Sequence, residues 1–544
     1  MINPLPQDKA IFYCYRLMEK FDKLGLERTI LNLNENISEK TVMEKMKSLT
    51  HSSIFSKKTL TRSNAQMFGI LVCVDDNGNE IVLKAFSGQF NGIWNIEGWV
   101  PPLLNEKKFI KLTKKSDKKI HILSDKIAEN EKIIKNFEND SCENNLMFQK
   151  VSVILQKLKK KRRELSQKSM KDIFLLYSVP IIKKFIIVET SQWKNPKNGK
   201  VFPQYKVKPV FTEKSLLSFF NHNTEKKVIL SNKQKNKILP PTGAGECCAP
   251  KLLAYAFRNN LRPVSLAEFY YGDSNKSGSK QHKKFYEPCD DKCLPLLNKM
   301  LGLDIIFHDE NIVVVNKPSG LLSVPGRGEK KQDCVVNRIK YFFSNCIEQP
   351  SVHRLDQDTS GLLILALNER THRALSVEFM ENRVEKKYIC VLEQPIQCGK
   401  GVSNIITDDE GKVISGHIEL PFRLDVKNRP RQIYDENLGK MGITNFRVIN
   451  LNKNDNVQIN FLRMTNKTIV EFVPITGRTH QLRLHASSIH GLNSPICGDN
   501  LYGSSKSRSI PCFSKKTRLM LHAFYLSFML NNKQYTFSLP KSFI

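Results

Sequence analysis

Three short stretches in the last 240 or so residues gather side chains that could do chemistry. The first is His353-Arg354-Leu355-Asp356-Gln357-Asp358-Thr359-Ser360-Gly361, which runs into the apolar stretch Leu362 to Leu367. A carboxylate beside a guanidinium stays ionised, as a nucleophile or base near neutral pH must. In the second, the β-branched run Val313-Val314-Val315 ends at Asn316-Lys317-Pro318-Ser319-Gly320, a Pro/Gly turn that presents Lys317 at a strand end. The third is Gly477-Arg478-Thr479-His480-Gln481-Leu482-Arg483, a loop-to-helix start dense in forked donors. Arg478, Gln481 and Arg483 suit a phosphate or the edge of a uracil. Taken singly these signals are weak, because an Asp–Arg pair is more often a structural ion pair.

The elements that must position them divide the chain into four textures. Residues 1–104 end in a strand–turn–strand pattern, Met67 to Val74 and Glu80 to Phe86 around Asn77-Gly78, closed by Trp94, Trp99 and Pro101-Pro102. Residues 105–175 carry helical periodicity with no Pro or Gly, and predict a basic, coiled-coil-like hairpin breaking near Asn139-Asp140-Ser141. Its run Lys157 to Arg163 reads first as a solvated helix face and second as an RNA contact. Residues 176–300 are mixed, and their Gly243-Ala244-Gly245 turn lacks the Gly-Lys-Ser/Thr ending of a phosphate loop. Residues 301–544 are dense in strand and turn signals and hold all three stretches.

The 544 residues carry 85 Lys+Arg against 53 Asp+Glu, a formal charge of +32. A chain this basic is drawn to polyanions, although a Lys- and Asn-rich composition also follows from genome bias. The longest apolar run, Ile173 to Ile182, is too short to span a bilayer, contains Pro180 and meets Lys183-Lys184. Asp8, Lys9 and Arg16 interrupt the apolar core a signal peptide needs. Thirteen scattered Cys do not make a secreted disulfide framework. A cytoplasmic protein without membrane contact is expected.

In order, these stretches resemble the RluA family of RNA pseudouridine synthases. The resemblance covers about residues 301–544 and rests on His353-Arg354-Leu355-Asp356 with Thr359-Ser360-Gly361, on Asn316 to Gly320, and on the unbroken Gly477 to Arg483. Gly498-Asp499-x-x-Tyr502-Gly503 and the Lys386-Lys387-Tyr388 strand complete it. Pro421 to Gln432, ending in Arg429-Pro430-Arg431-Gln432, is similar to the branch that modifies stem-loops of ribosomal and transfer RNA. The resemblance implies an α+β fold, a mixed and largely antiparallel sheet with a central cleft, here preceded by a mixed α/β extension with the helical hairpin. It implies Asp356 as the nucleophile or base, Arg478 paired with it, and Tyr388 stacked on a flipped uracil. Binding would draw on His353, Arg354, Lys317, Thr359, Gln481, Arg483, Arg429 and Arg431. The isomerisation is redox-neutral, so neither metal nor organic cofactor is expected, and members usually act as monomers.

Two other classes use part of this set. A non-catalytic RNA binder on the same fold would have lost Asp356, Tyr388 or Arg478. A nucleoside glycosidase generally needs a paired acid or a metal, for which Asp358 is a poor candidate. In the extension, Cys247, Cys248, Cys289 and Cys293 with His282 could hold zinc, but Cys-Cys and Cys-x3-Cys depart from familiar knuckle spacing, and buried thiols are the expectation. The hairpin and the Trp94 to Pro102 segment are expected to form an RNA-gripping or ribosome-facing module, and a fragment starting near Leu301 is expected to fold alone.

Overall fold

The computed structural model describes residues 3–49, 65–139, 146–194, 201–221, 240–241, 243–274, 277–289, 292–328, 331–449, 467–503 and 518–540. Helices α1 (Asp8–Leu24), α2 (Leu26–Ile30) and α3 (Glu39–Leu49) open the chain. Strands β1 (Gln66–Val74) and β2 (Glu80–Phe86) pair antiparallel across Asp75–Asn79, where Gly78 takes a φ of +89°. Helices α4 (Glu106–Asn139) and α5 (Leu146–Leu176) pack against one another as the expected hairpin; the break falls outside the described residues. Then come β3 (Ser178–Lys194), β4 (Val201–Ser215), α6 (Leu216–Asn221), α7 (Cys248–Arg258), β5 (Arg262–Tyr271) and α8 (Leu294–Leu301). β5 adds to β1 to make a three-stranded sheet, and β3 and β4 form a separate two-stranded ribbon.

The alternation of Phe68, Ile70 and Val72 with Leu71 and Cys73 explains how the small sheet is covered on both faces. The first set packs on Cys14, Met18 and Phe21 of α1, and the second faces α7. Trp99 is buried in the first layer, and its indole N–H donates to the Ile30 carbonyl at 3.0 Å. Trp94 is buried too. The two indoles of the Trp94 to Pro102 segment therefore serve packing, and its exposed positions are Asn95, Glu97, Gly98 and Pro101.

The C-terminal part contains β6 (Asp304–His308), β7 (Ile312–Lys317), α9 (Val335–Phe342), β8 (Ser360–Ala366), α10 (Glu369–Met380), β9 (Glu385–Leu392), β10 (Val402–Thr407), β11 (Val413–Leu424), β12 (Gln432–Tyr434), β13 (Lys440–Val448), β14 (Thr468–Pro474), α11 (Gln481–Ser487), β15 (Leu521–Leu530) and β16 (Lys533–Ser538). One large sheet runs β10-β11-β13-β14-β9-β15-β8-β7-β6, with β12 on β11 and β16 on β15. Among the described strand pairs only β15–β8 is parallel, so the sheet is mixed and largely antiparallel, as the resemblance implied.

Register joins the chemistry-bearing elements. Lys317 pairs with Gly361, Gly361 with Ala523, Ala523 with Tyr388, and Tyr388 with Phe472, one row crossing five strands. Gly361 sits at φ +117°, and a Cβ there would lie 2.2 Å from the Ala523 carbonyl oxygen. Only glycine lets β15 come this close to β8.

The extension does not stand apart from this sheet. Leu252, Leu253 and Phe257 of α7, Leu296, Leu297 and Met300 of α8, and Phe185 of β3 share one apolar core with Val313 and Val315 of β7, Ile339 and Phe342 of α9, and Leu363 of β8. The expectation that a fragment from Leu301 folds alone does not fit this shared core.

Candidate active site

Asp356 lies on the loop that enters β8, and that loop is clasped by the turn after β7. Lys317 is fully buried, and its ammonium donates to the carbonyls of Pro318 (3.1 Å), Leu321 (2.7 Å) and Gln357 (2.9 Å). Ser319 donates to the Asp358 carbonyl at 2.6 Å, and Ser323 to the Leu355 carbonyl at 2.7 Å. Burial lowers the Lys317 ammonium to about 8, against the pull of Asp356 and Asp358. With three carbonyl partners Lys317 fixes the loop, and its three ammonium protons are all engaged by the protein's own backbone, away from the substrate-binding role that the resemblance implies.

The cation that faces Asp356 is Arg483, not Arg478. Arg483 Nη1 stands 3.6 Å from Asp356 Oδ2, and His480 Nε2 is 4.0 Å from Oδ1. Arg483 is almost wholly buried and is held from behind by Asp499, with Nε and Nη2 each 2.7 Å from a carboxylate oxygen. Asp499 also accepts the backbone N–H groups of Leu501 and Tyr502. Such a bidentate fork fixes the guanidinium plane and leaves one edge for Asp356. Arg478 is exposed, its Nε donating to the Met441 carbonyl at 3.3 Å. The local reason is the turn: His480 adopts φ +55° and α11 begins at Gln481, so the chain direction changes between the two arginines.

Tyr388 is half-buried in the row described above, and burial, then the charge of Asp356, raise its phenol pKa. It is therefore neutral at physiological pH. Tyr502 joins the edges of the site: its hydroxyl meets His480 Nδ1 at 2.9 Å and the Gln432 backbone N–H at 2.7 Å, and the Arg483 and Arg431 guanidiniums lie 5.3 and 5.5 Å from its ring centre. This ties the exposed loop bearing Arg429 and Arg431 to the site.

Other expected ligands are occupied elsewhere. Gln481 is buried, accepts from Thr476 Oγ1 and Arg478 N, and donates to the Ile443 carbonyl and Thr444 Oγ1. Its amide therefore holds α11 to β13 instead of reading a base. The His353 ring stacks on Phe379 (centroids 4.6 Å apart), and its Nε2 accepts the Ile364 N–H; burial depresses it to about 3. Thr359 is buried, with its N–H donating to the Asp356 carbonyl, while Arg354 is exposed on the loop. Asp499, Tyr502 and His480 were not singled out from sequence, although all three lie inside the motifs that carried the resemblance.

His485 adds a pH-dependent weakness two residues beyond Arg483. It is fully buried against Phe422, and neither ring nitrogen has a partner among the described residues. Burial, then His417, depresses its pKa from 6.5 to about 3. The folded state thus holds it neutral while the unfolded chain takes up a proton, so stability falls as pH falls from about 6.5 towards 3. At pH 4 this costs on the order of 3 kcal/mol. His485→Leu is expected to flatten the decline of Tm between pH 6.5 and 4 in melts recorded across that range; an equally steep decline would remove His485 as its source.

Among the described residues no helix is long and apolar enough to cross a membrane. Residues 311–488 match the family described as RNA pseudouridylate synthase. The "Dual-specificity RNA pseudouridine synthase RluA" of Haemophilus influenzae is 38% identical over 221 residues, 41% of this chain and 84% of that protein. Its namesake from Pasteurella multocida is 36% identical over 243 residues, 44% of this chain and 94% of that protein. A solved structure, "Human RNA Pseudouridylate Synthase Domain Containing 1", aligns over 44% of this chain and 84% of its own at 26% identity, with a TM-score of 0.33.

Proposed function

This chain belongs to the RluA family of RNA pseudouridine synthases, and from that premise we propose that it isomerises uridines in stem-loops of ribosomal or transfer RNA, with Asp356 as nucleophile. The observation that carries the reading is the Asp356 carboxylate 3.6 Å from an Arg483 guanidinium already locked by Asp499. A carboxylate, unlike a hydroxyl, needs no neighbouring base to act as a nucleophile. Its oxygen bonds to C1′ of the flipped nucleotide as the N1–C1′ bond breaks, the freed uracil turns, and C5 then attacks C1′ and displaces the Asp356 carboxylate, so that a C5–C1′ bond replaces the ester to the enzyme. The C5 proton leaves and N1 gains one, so atoms and charge balance without a redox partner.

Tyr388 gives the flipped ring an apolar face, and its neutral hydroxyl relays the C5 proton. Arg429, Arg431 and Arg354, all exposed around the site, contact phosphates and hold the loop in register. A cleft of about 780 Å³ between the β3–β4 ribbon and the β7–β8 end, with Lys214, Lys299, Arg518 and Asp304 in its lining, offers further cations to phosphate. The relatives' name, with its dual specificity, supports more than one RNA target. The protein acts as a monomer in the cytoplasm.

Incubation with RNA labelled in its uridines separates this reading from its rivals: pseudouridine marks a synthase, free uracil a glycosidase, and unchanged uridine a binder. Stem-loop transcripts from ribosomal and transfer RNA then identify the target. The two arginines make a sharper check on the geometry. Arg483→Lys keeps the charge but loses the fork, and is expected to lower kcat by ~10²-fold or more. Arg478→Lys should stay within a few-fold of wild type. The reverse ranking in single-turnover assays would refute the pairing argued from Arg483.

A further inference from the structure

The cysteines of the extension do not lie scattered. Cys289, Cys293 and Cys247 bring their sulfur atoms within 4.8 Å of one another. The first two approach because the Cys289 carbonyl accepts the N–H groups of Cys293 (3.2 Å) and Leu294 (3.1 Å), forming a helical turn that places the thiols 3.4 Å apart. Cys247 arrives from another part of the chain. It is the N-cap residue of α7, brought in by tight turns at Pro241–Ala244 and Gly243–Glu246. The other candidates turn away. Cys248 packs under β1 with its thiol towards the Met67 carbonyl, and His282 Nδ1 accepts the Gly272 N–H.

We propose that Cys247, Cys289 and Cys293 bind one zinc ion that staples the start of α7 to the turn preceding α8. Tetrahedral zinc with bonds of about 2.3 Å separates its sulfur ligands by about 3.8 Å, close to the 3.4 Å between Cys289 and Cys293 and inside the 4.8 Å within which all three sulfurs lie. A disulfide could join only two of these thiols, whereas three convergent sulfurs suit a soft metal. Exposed Cys289 leaves the fourth position open to solvent. Three thiolates on zinc carry one net negative charge, and Lys280 is close enough to interact with all three. Spacing along the chain spoke against zinc only because it does not register that α7 and α8 converge.

The role is structural. Helices α7 and α8 both contribute to the core shared with the large sheet, so a metal joining their N-termini resists opening of that core. The chemistry at Asp356 does not depend on it, and the site stands or falls apart from the proposed RNA target.

The test uses the full chain, purified reduced and without chelator. Elemental analysis is expected to find about one zinc per chain in wild type and in Cys398→Ser, and little in Cys289→Ser or Cys247→Ser. Because Cys289 is exposed, its Ser variant opens no core cavity. Metal-stripped wild type should take up Co2+ with a thiolate-to-metal charge-transfer band, and removal of zinc should lower Tm by several degrees. Reduced wild type that holds no zinc and gives no Co2+ band overturns the proposal. So does zinc retained by both Cys→Ser variants, or a Cys289–Cys293 disulfide found by mass mapping.

Discussion

Asp356→Asn is expected to cut pseudouridine formation by roughly 10⁴-fold or more, while RNA affinity and Tm stay near wild type. Asparagine keeps the shape of the side chain but cannot supply an anionic nucleophile. Affinity survives because phosphate contacts by lysine and arginine dominate RNA binding, and a carboxylate makes none. The fold survives because Asp356 is not what holds its neighbours. Arg483 keeps its two hydrogen bonds to Asp499, and the loop keeps the Lys317, Ser319 and Ser323 hydrogen bonds to its backbone. Single-turnover assays beside filter binding and melting curves give all three readouts. Turnover at even a few per cent of wild type would take the nucleophile role from Asp356; weakened affinity together with abolished turnover would point to a collapsed site.

What could be read from sequence was local, and what could not was mutual. The Asn77-Gly78 hairpin, the proline-free stretch that became α4 and α5, and the apolar run that became β8 each announce themselves through turn chemistry or periodicity. The loop that carries Asp356, the proposed nucleophile, was legible because its motif is specific. Its partner was not, since Arg478 and Arg483 stand in one motif with equal charge, and only the turn at His480 decides which enters the cleft. The backbone partners of Lys317 and Gln481 were hidden for a related reason. Donors in a motif look available until the carbonyls that consume them are seen. The docking of α9 against the extension was hidden as well. Its buried face Val335, Val336, Ile339 and Phe342 declares an amphipathic helix without naming what covers it.

That docking sets the remaining expectation: a fragment beginning at Leu301 will not fold into a soluble enzyme. Without the extension, Val336, Ile339, Phe342 and Phe343 lose cover that includes Phe185, whose ring meets Tyr341 and Phe342 edge-on at 5.5 and 6.3 Å. Re-exposing four such side chains costs about 6–12 kcal/mol, as much as a whole domain's stability. The His308–Asn3 and Arg262–Tyr341 hydrogen bonds go as well. The basic hairpin is a different matter. Leu104 bridges Tyr177 at its base and Ser116 meets Ser169 at 2.9 Å, so the two arms are in register before they project. Residues 120–165 can therefore be replaced by a short Gly/Ser link without opening the shared core. That shortened chain should fold and isomerise a stem-loop, with weaker binding and a shallower salt dependence, by about 0.9 in log–log slope for each duplex phosphate it no longer neutralises. A soluble, cooperatively melting, active fragment from Leu301 would show that the shared core is dispensable. Equal salt slopes for the full and shortened chains would show that Lys157 to Arg163 face water alone.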